Sequence, residues 1–564
     1  MASIDKRTRT LFFVTSPRTP ANMIPEIQVL VDNLAGKEWN VKSQIRFMEL
    51  LDEAVYGVPQ VRKDPAFSAR DRVNRAPKAL GFVDLNPVAL TPAGQAWVSG
   101  ELQGEALLRQ LLKFQLPSPF HTPLATDPER FWVKPYLEIL RLIHHFGSLT
   151  FDEVMIFGMQ LTDYRQFDAV VAKIDDFRIE KARRKGEYKK FIAEVKEVQI
   201  REIYAEEIRS RATATRESSD SSDQNFIRTK LNNLRDYTDA CFRYLRATEL
   251  TGISQIGHSI RIARGKEEDV RFILEHVDRA PIHVDDVEAY KAYLFDAETP
   301  RLLTDDREAL LAQLEPYGNY RGIDRSKVEL KLELLLQRDR AKQRAIEKEI
   351  RQIKRYEQYD DIQSTFDGIV AAEFYDNPLM FEWNTWRAMT MIDGGVIQPN
   401  CKLDDDGQPV STAIGNTADI LCEYDDFDLI VEVTLQSGQK QYDNEGEPVA
   451  RHLGKAKALS GRETFCLFVA PKVSPATIAY FYSLHLANIG HYGGKAVIVP
   501  MELQVFRKLL EDSKKVDYVP WPDQVKGIFE FSRGYALEAS SEEDWYQKVT
   551  DYALHWLDPG ALVV

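Results

Sequence analysis

Asp419 and Glu432, with twelve residues between them, are the side chains in this sequence whose types and spacing best support chemistry. Ala418 to Tyr424 and Phe427 to Leu435 read as two strands around Asp425-Asp426, the pattern of a hairpin with a two-residue loop. With Tyr424 facing Phe427, stepping outward pair by pair sets Asp419 opposite Glu432. Directly opposed residues share a face of the sheet, with Cβ atoms about 4.5–5.5 Å apart. Two carboxylates that close repel at neutral pH unless something positive lies between them, and a divalent metal ion is the natural candidate. Alternation along the second strand puts Leu429, Val431, Val433 and Leu435 on one apolar face and Ile430, Glu432 and Thr434 on the other. A charge in the middle of such a strand is costly if it is merely structural. The blander reading, a surface hairpin with exposed acids, fits Glu423 and Asp428 better than Asp419 and Glu432.

The surrounding pattern is mixed α/β. Phe374 to Met391 reads as a helix holding Phe381-Glu382-Trp383 and Trp386. After the hairpin come Glu445, Glu447, Arg451 and His452, with Glu445 placed in a loop, then a strand from Thr464 to Ala470, a helix after Ser474 and a strand from Ala496 to Pro500. A helix with Glu, a strand with Asp, a strand with Glu, a crossover helix and another strand is the core order of the PD-(D/E)xK nuclease fold. In that fold the two strand acids bind Mg²⁺, which activates water and stabilises charge on the phosphate.

The 564 residues predict several units rather than one core, divided as 1–125, 126–275, 276–358 and 359–564. No run approaches the roughly 18 apolar residues that span a bilayer, and the N-terminal apolar stretch, Leu11 to Val14, is too short for a secretory signal. The expectation is a cytoplasmic protein with no membrane role. Four scattered cysteines without a CxxC pair exclude a zinc finger or disulfide framework as the organising device. A net charge of −14 argues against non-specific coating of nucleic acid, unless basic residues are segregated.

They partly are. The first eighty residues are locally basic and include Arg18, Arg70, Arg72, Arg75 and Lys78. Two short helices between Pro25 and Tyr56, a basic helix starting near Ser68, a hairpin around Pro87 and a Leu90-Thr91-Pro92-Ala93-Gly94 exit into a closing helix outline a winged helix. Its arginines and Lys78 would reach guanine edges or phosphates. A helix from Tyr136 to His145, a turn at Phe146-Gly147-Ser148 and a capping box from Thr150 to Glu153 outline a helix-turn-helix. After the serines at 218–222, the amphipathic helix Phe226 to Leu245 carries Lys230 and Arg235 and leads to a possible hairpin at Ser259 to Ala263, a second DNA-contacting module. Ile323 to Tyr359, rich in Lys, Arg, Glu, Leu and Gln, reads as a long helical spacer with a solvated surface.

Several stretches carry a more specific likeness: SPRTP at 16–20, AFSARDRV at 66–73, LKFQLPSPFH at 112–121, FEWNTW at 381–386, GNTADI at 415–420, VEVT at 431–434 and EPVARH at 447–452. In these the chain resembles the AlwI-type restriction endonucleases, bacterial enzymes that include site-specific nicking enzymes. The resemblance implies a multidomain protein with a winged-helix recognition half, a helical linker and a FokI-like α/β cleavage domain. It implies a type IIS endonuclease that cuts double-stranded DNA a few base pairs outside a short asymmetric site, with Mg²⁺ and with Mn²⁺ as a substitute. Position by position it implies catalytic roles for Glu382, Asp419, Glu432 and Glu445, with metal on the last three. Ala418-Asp419 stands where the family has Pro-Asp, and Thr434 where the wider superfamily has lysine. Glu445 and His452 both stay open as the group that assists the attacking water. Cutting both strands implies a transient homodimer or a small second subunit. The alternatives are a strand-specific nicking enzyme or the large subunit of a heterodimer, a catalytically dead DNA-binding regulator, and a structure-specific repair nuclease.

Overall fold

The computed structural model describes residues 2–558 apart from 5, 57–61, 100, 124–125, 185–187, 216–219, 254–258, 323, 375, 393–394, 404–406, 413–416 and 517. Ser218, Ser219, Gly415 and Asn416, which belong to two of the sequence motifs, therefore lie outside the described residues. The chain divides into two compact units, Met1–Asp339 and Arg340–Val564. Among the described residues no helix is long and apolar enough to cross a membrane, and all four cysteines are buried free thiols.

In the first unit, helices Met23–Leu34 and Val41–Leu51 precede the basic helix, which spans Pro65–Arg75. It starts ahead of Ser68 because Asp64 accepts a hydrogen bond from the Phe67 amide at 2.8 Å and Pro65 occupies the first helical position. Strands Val83–Leu85 and Val88–Leu90 pair antiparallel, with Leu85 opposite Val88. Thr91 then caps helix Pro92–Val98. Gly94 is needed there, since a Cβ would lie 1.9 Å from the Phe82 carbonyl oxygen.

Helix Pro135–Phe146 ends at Gly147, whose φ is 73°, and the Thr150–Glu153 capping box starts helix Phe151–Ile156. Between these helices the chain forms a strand, Ser148–Thr150, that pairs with Ser259–Ile262. The latter pairs in turn with Thr251–Ile253, so a three-stranded sheet backs the helix-turn-helix outline. Helix Asp223–Ala247 starts earlier than its sequence pattern because Ser222 caps it.

Helix α1 (Lys327–Lys354) begins in the first unit and ends in the second. Its root is fixed in the first unit, where Leu330 and Leu334 pack with Leu310, Leu311 and Leu314.

The second unit continues with α2 (Tyr359–Val370), α3 (Asn377–Ile392), β1 (Val396–Pro399), β2 (Ile420–Glu423), β3 (Phe427–Val433), α4 (Gln439–Ser460), β4 (Glu463–Ala470), α5 (Pro475–Leu486), β5 (Ile498–Glu502), α6 (Leu503–Lys515), α7 (Pro522–Tyr535) and α8 (Glu542–Leu554). One five-stranded sheet runs β5-β4-β3-β2-β1. The pairs β1/β2 and β2/β3 are antiparallel, whereas β3/β4 and β4/β5 are parallel and require helical crossovers, supplied by α4 and α5. Residues Phe427 to Glu432 are buried on both faces of β3, as a central strand covered by helices must be.

Glu445 departs from its expected loop: it lies in the second turn of α4. Gly446 and Pro448 are helix breakers in isolation, but burial of Val449, Ala450 and Leu453 on the sheet side holds the helix through them. The helix closes against the turn Gly490–Tyr492, where a Cβ on Gly454 would sit 2.8 Å from the Tyr492 Cα. Gly454→Ala should therefore push α4 off its seat and cost about 1–3 kcal/mol of stability. Urea unfolding would show this as a lower midpoint at unchanged slope, and an unaltered midpoint would mean that the contact is loose.

Candidate functional site

The hairpin register is the one that a two-residue turn dictates. Ile420 pairs with Val431 and Cys422 with Leu429, while the Tyr424 amide donates to the Phe427 carbonyl at 3.1 Å. One step beyond Ile420–Val431 sets Asp419 against Glu432. Asp419 is half-buried, and its Oδ2 accepts the Val433 amide at 2.8 Å. Glu432 is only 7% exposed, between buried Ile430 and Thr434 on its face of β3.

Two helices add acids to this pair. Glu382, on the fully packed α3, is 8% exposed, and its charge acts on Glu432. Glu445 and His452 are seven residues apart on α4, two turns along one face. Glu445 Oε1 accepts hydrogen bonds from Thr434 Oγ1 at 2.8 Å and Gln436 Nε2 at 3.2 Å. The Gln436 amide donates to Thr434 Oγ1 at 3.1 Å, so the two donors brace each other. His452 Nδ1 lies 2.7 Å from Glu432 Oε1.

Burial raises the proton affinity of Asp419, Glu432 and Glu445 alike. After burial, the charge of Glu432 raises Asp419 further, and the charges of Glu445 and Glu382 raise Glu432. Burial pushes His452 down to about 4, and Arg451 and Lys455 reinforce this. His452 is thus neutral at pH 7, and its Nδ1 shares a hydrogen bond with the Glu432 carboxyl group.

No lysine or arginine forms an ion pair with Asp419, Glu432 or Glu445 among the described residues, and each carboxylate keeps one oxygen outside any protein hydrogen bond. Such a set of hard oxygen donors with unbalanced negative charge suits a hard divalent cation. No group of three or more His, Cys, Asp or Glu side chains is gathered to hold one ion among the described residues. The fit is therefore to a cation that takes Asp419 and Glu432 and completes its shell with water and substrate oxygens, the habit of Mg²⁺.

The remaining sequence candidates separate by environment. Arg72 is ion-paired to buried Glu26, and half-buried Lys78 stands 5.0 Å over the Phe120 ring. Arg70 donates to Gln44 Oε1 at 2.8 Å, and Lys230 lies over the Tyr204 and Phe226 rings. Exposed Arg18 is 3.3 Å from Asp239, and exposed Arg75 pairs with Asp71 at 2.7 Å within its own helix. Arg235 is exposed and makes no ion pair among the described residues. Gln436 escaped the sequence reading. It continues the 430-432-434 alternation past the strand, but an uncharged side chain gives no alarm there.

Acids from β3, from the residue that leads into β2 and from two helices beside a mixed sheet, in a chain that also holds helix–hairpin modules, are what a restriction endonuclease would present. The chain belongs to the AlwI restriction endonuclease family, whose model matches residues 78–509. No curated protein matches it. Among solved structures it is similar to the small subunit (R.BspD6I2) of the heterodimeric restriction endonuclease R.BspD6I, at 27% identity and a TM-score of 0.29, covering 34% of this chain and 97% of that one. It is also similar to the BpuJ1 endonuclease binding domain, solved with pyrene- and phenanthrene-modified DNA, at 12% identity and a TM-score of 0.29, covering 52% of this chain and 100% of that one.

If Thr434 orients Glu445 through its hydroxyl, Thr434→Val removes the bond at constant shape, whereas Thr434→Ser keeps it. The expected result is a kcat for DNA cleavage reduced roughly tenfold or more in the valine variant and largely restored in the serine variant, with little change in DNA affinity. Equal rates in valine and wild-type proteins would remove Thr434 from the site.

Proposed function

We propose that this chain is a Mg²⁺-dependent type IIS endonuclease that hydrolyses DNA phosphodiester bonds a few base pairs outside a short asymmetric site. The observation that carries the reading is the opposed Asp419–Glu432 pair, close to Glu382 and Glu445 and ion-paired to no lysine or arginine among the described residues, in a chain of this family. On this reading the second unit is a PD-(D/E)xK-type cleavage domain and the first holds winged-helix-like modules that read sequence. Exposed Arg18, Arg75 and Arg235 are its best-placed phosphate contacts.

Asp419 and Glu432 would hold the ion, with Mn²⁺ as a substitute, through the oxygens that the Val433 amide and His452 leave open. Bound there, it would supply Lewis-acid stabilisation of the phosphate and a more acidic water. His452 fixes the Glu432 carboxyl group through its Nδ1, 2.7 Å from Oε1. Thr434, in the place of the superfamily lysine, works with Gln436 to point Glu445 at the pair. One acid cluster per chain serves one strand, so a monomer nicks. Scission of both strands then takes a transient second copy or a small second subunit.

Purified protein with Mg²⁺ should cut plasmid DNA at discrete positions beside one short asymmetric sequence, as mapped by run-off sequencing, and EDTA should abolish cutting. Asp419→Ala should bind the same DNA while cleaving it slower by roughly 10²-fold or more. Undiminished cutting by that variant would sink the assignment.

A further inference from the structure

The surface of α1 in the second unit is charged in an unusual way for this protein. Arg340, Arg344, Lys348 and Arg351 are all exposed and form no hydrogen bond or ion pair with described residues. Their spacings of four, four and three residues place them within an arc of about 80° and along about 17 Å of helix. The opposite face is the one that docks on the second unit: Lys342 donates to the Leu403 carbonyl, Glu349 lies 3.8 Å from Arg387, and Ile353 is fully buried. Glu347 borders the stripe without pairing to it.

A helix surface that only needs solvation is built differently elsewhere in this chain. Arg184 pairs with Glu180, Arg201 with Glu197, and Lys515 with Glu511, each one turn apart. Acids outnumber bases 87 to 73 overall, so acidic partners are not scarce. Like charges one turn apart oppose helix formation, and Glu347, exposed beside the stripe, forms no ion pair with any of the four among the described residues. Flexible cations on a single line, without partners among the described residues, are what a polyphosphate backbone requires.

We infer that this face of α1 is a DNA-backbone contact: the four side chains lie along phosphates of the duplex that the enzyme holds, and add affinity without reading sequence. The inference rests on the DNA-cutting reading above and extends it to a helix otherwise assigned as a passive spacer.

The test is equilibrium binding of the full chain to a 40-base-pair duplex of mixed sequence, in EDTA, as a function of KCl concentration. Each lost phosphate contact lowers the slope of log affinity against log salt by about 0.9. The variant R340Q/R344Q/K348Q/R351Q should lose about 3 to 4 in that slope and roughly a thousandfold or more in affinity near 0.1 M salt. The charge-keeping variant R340K/R344K/R351K should retain the wild-type slope. Arg184, Arg201, Lys508 and Lys515, each ion-paired to an acid four residues away, changed together to glutamine, alter net charge equally and should leave the slope unchanged. A wild-type slope in the quadruple stripe variant, or an equal loss in the control, overturns the inference. A wild-type chain that binds no duplex at all overturns the DNA reading itself and the inference with it.

Discussion

Asp419, Glu432 and Glu445 lie close enough in the second unit for their charges to act on one another, and among the described residues no lysine or arginine forms an ion pair with any of them. Two such charges about 5 Å apart repel by roughly 3 kcal/mol at an effective dielectric constant near 20. The hydrogen bonds that hold them offset part of this, since a bond to a charged acceptor contributes about 1.5–3 kcal/mol. Asp419 has the Val433 amide, Glu432 has His452, and Glu445 has Thr434 and Gln436. Burial raises the proton affinity of all three, and the remaining repulsion adds to it at Asp419 and Glu432. A pocket built this way is stable as a protonated or cation-filled site and strained as an empty ionised one. The scaffold must therefore be rigid enough to keep the side chains from swinging out to water.

Several features of the second unit meet that demand. The parallel pairing of β3 and β4 forces a crossover, and α4 returns across the sheet with Glu445 and His452 on the face that meets Glu432. Gln441, fully buried one turn before Glu445, donates to the Gln436 and Lys472 carbonyls and accepts from the Ser474 amide, tying α4 to the loops after β3 and β4. On the other side, Trp386 Nε1 donates to the Ile397 carbonyl at 3.1 Å and Asn384 to Ile362 at 3.0 Å, which locks α3 and with it Glu382. Arg387 reaches Asp361 at 2.6 Å and completes that lock.

The hairpin was legible in the sequence because a two-residue turn and a period of two leave a single register: once Tyr424 faces Phe427, Asp419 must face Glu432. The Thr150–Glu153 capping box was legible for a similar reason, being local and fixed in spacing. Glu445 was not, because Gly446 and Pro448 speak locally for a loop while contacts formed only after the sheet is assembled decide for a helix. The basic residues of the first unit show the same limit. Arg72 reads as a free cation until the fold brings Glu26, forty-six residues earlier, against it. Charge is a property of the residue, whereas availability belongs to the fold.

On the proposed reading, Thr434 and Gln436 in the place of the superfamily lysine also change what the site asks of the rest of the molecule. A lysine at that position would cancel part of the acid charge and attract phosphate directly. Two neutral donors orient Glu445 equally well but cancel nothing, so an approaching phosphate meets a more negative pocket. On the proposed reading, attraction must come from the ion and from cations outside the cluster. Arg451 already offsets the charge on Glu432, and Lys455, exposed one turn further along α4, adds to the positive potential felt at His452. In a chain of net charge −14, substrate cannot be drawn in by the field of the whole protein. It has to be held by cations gathered on particular surfaces, which is why unpaired arginines and lysines carry more meaning here than they would in a basic protein.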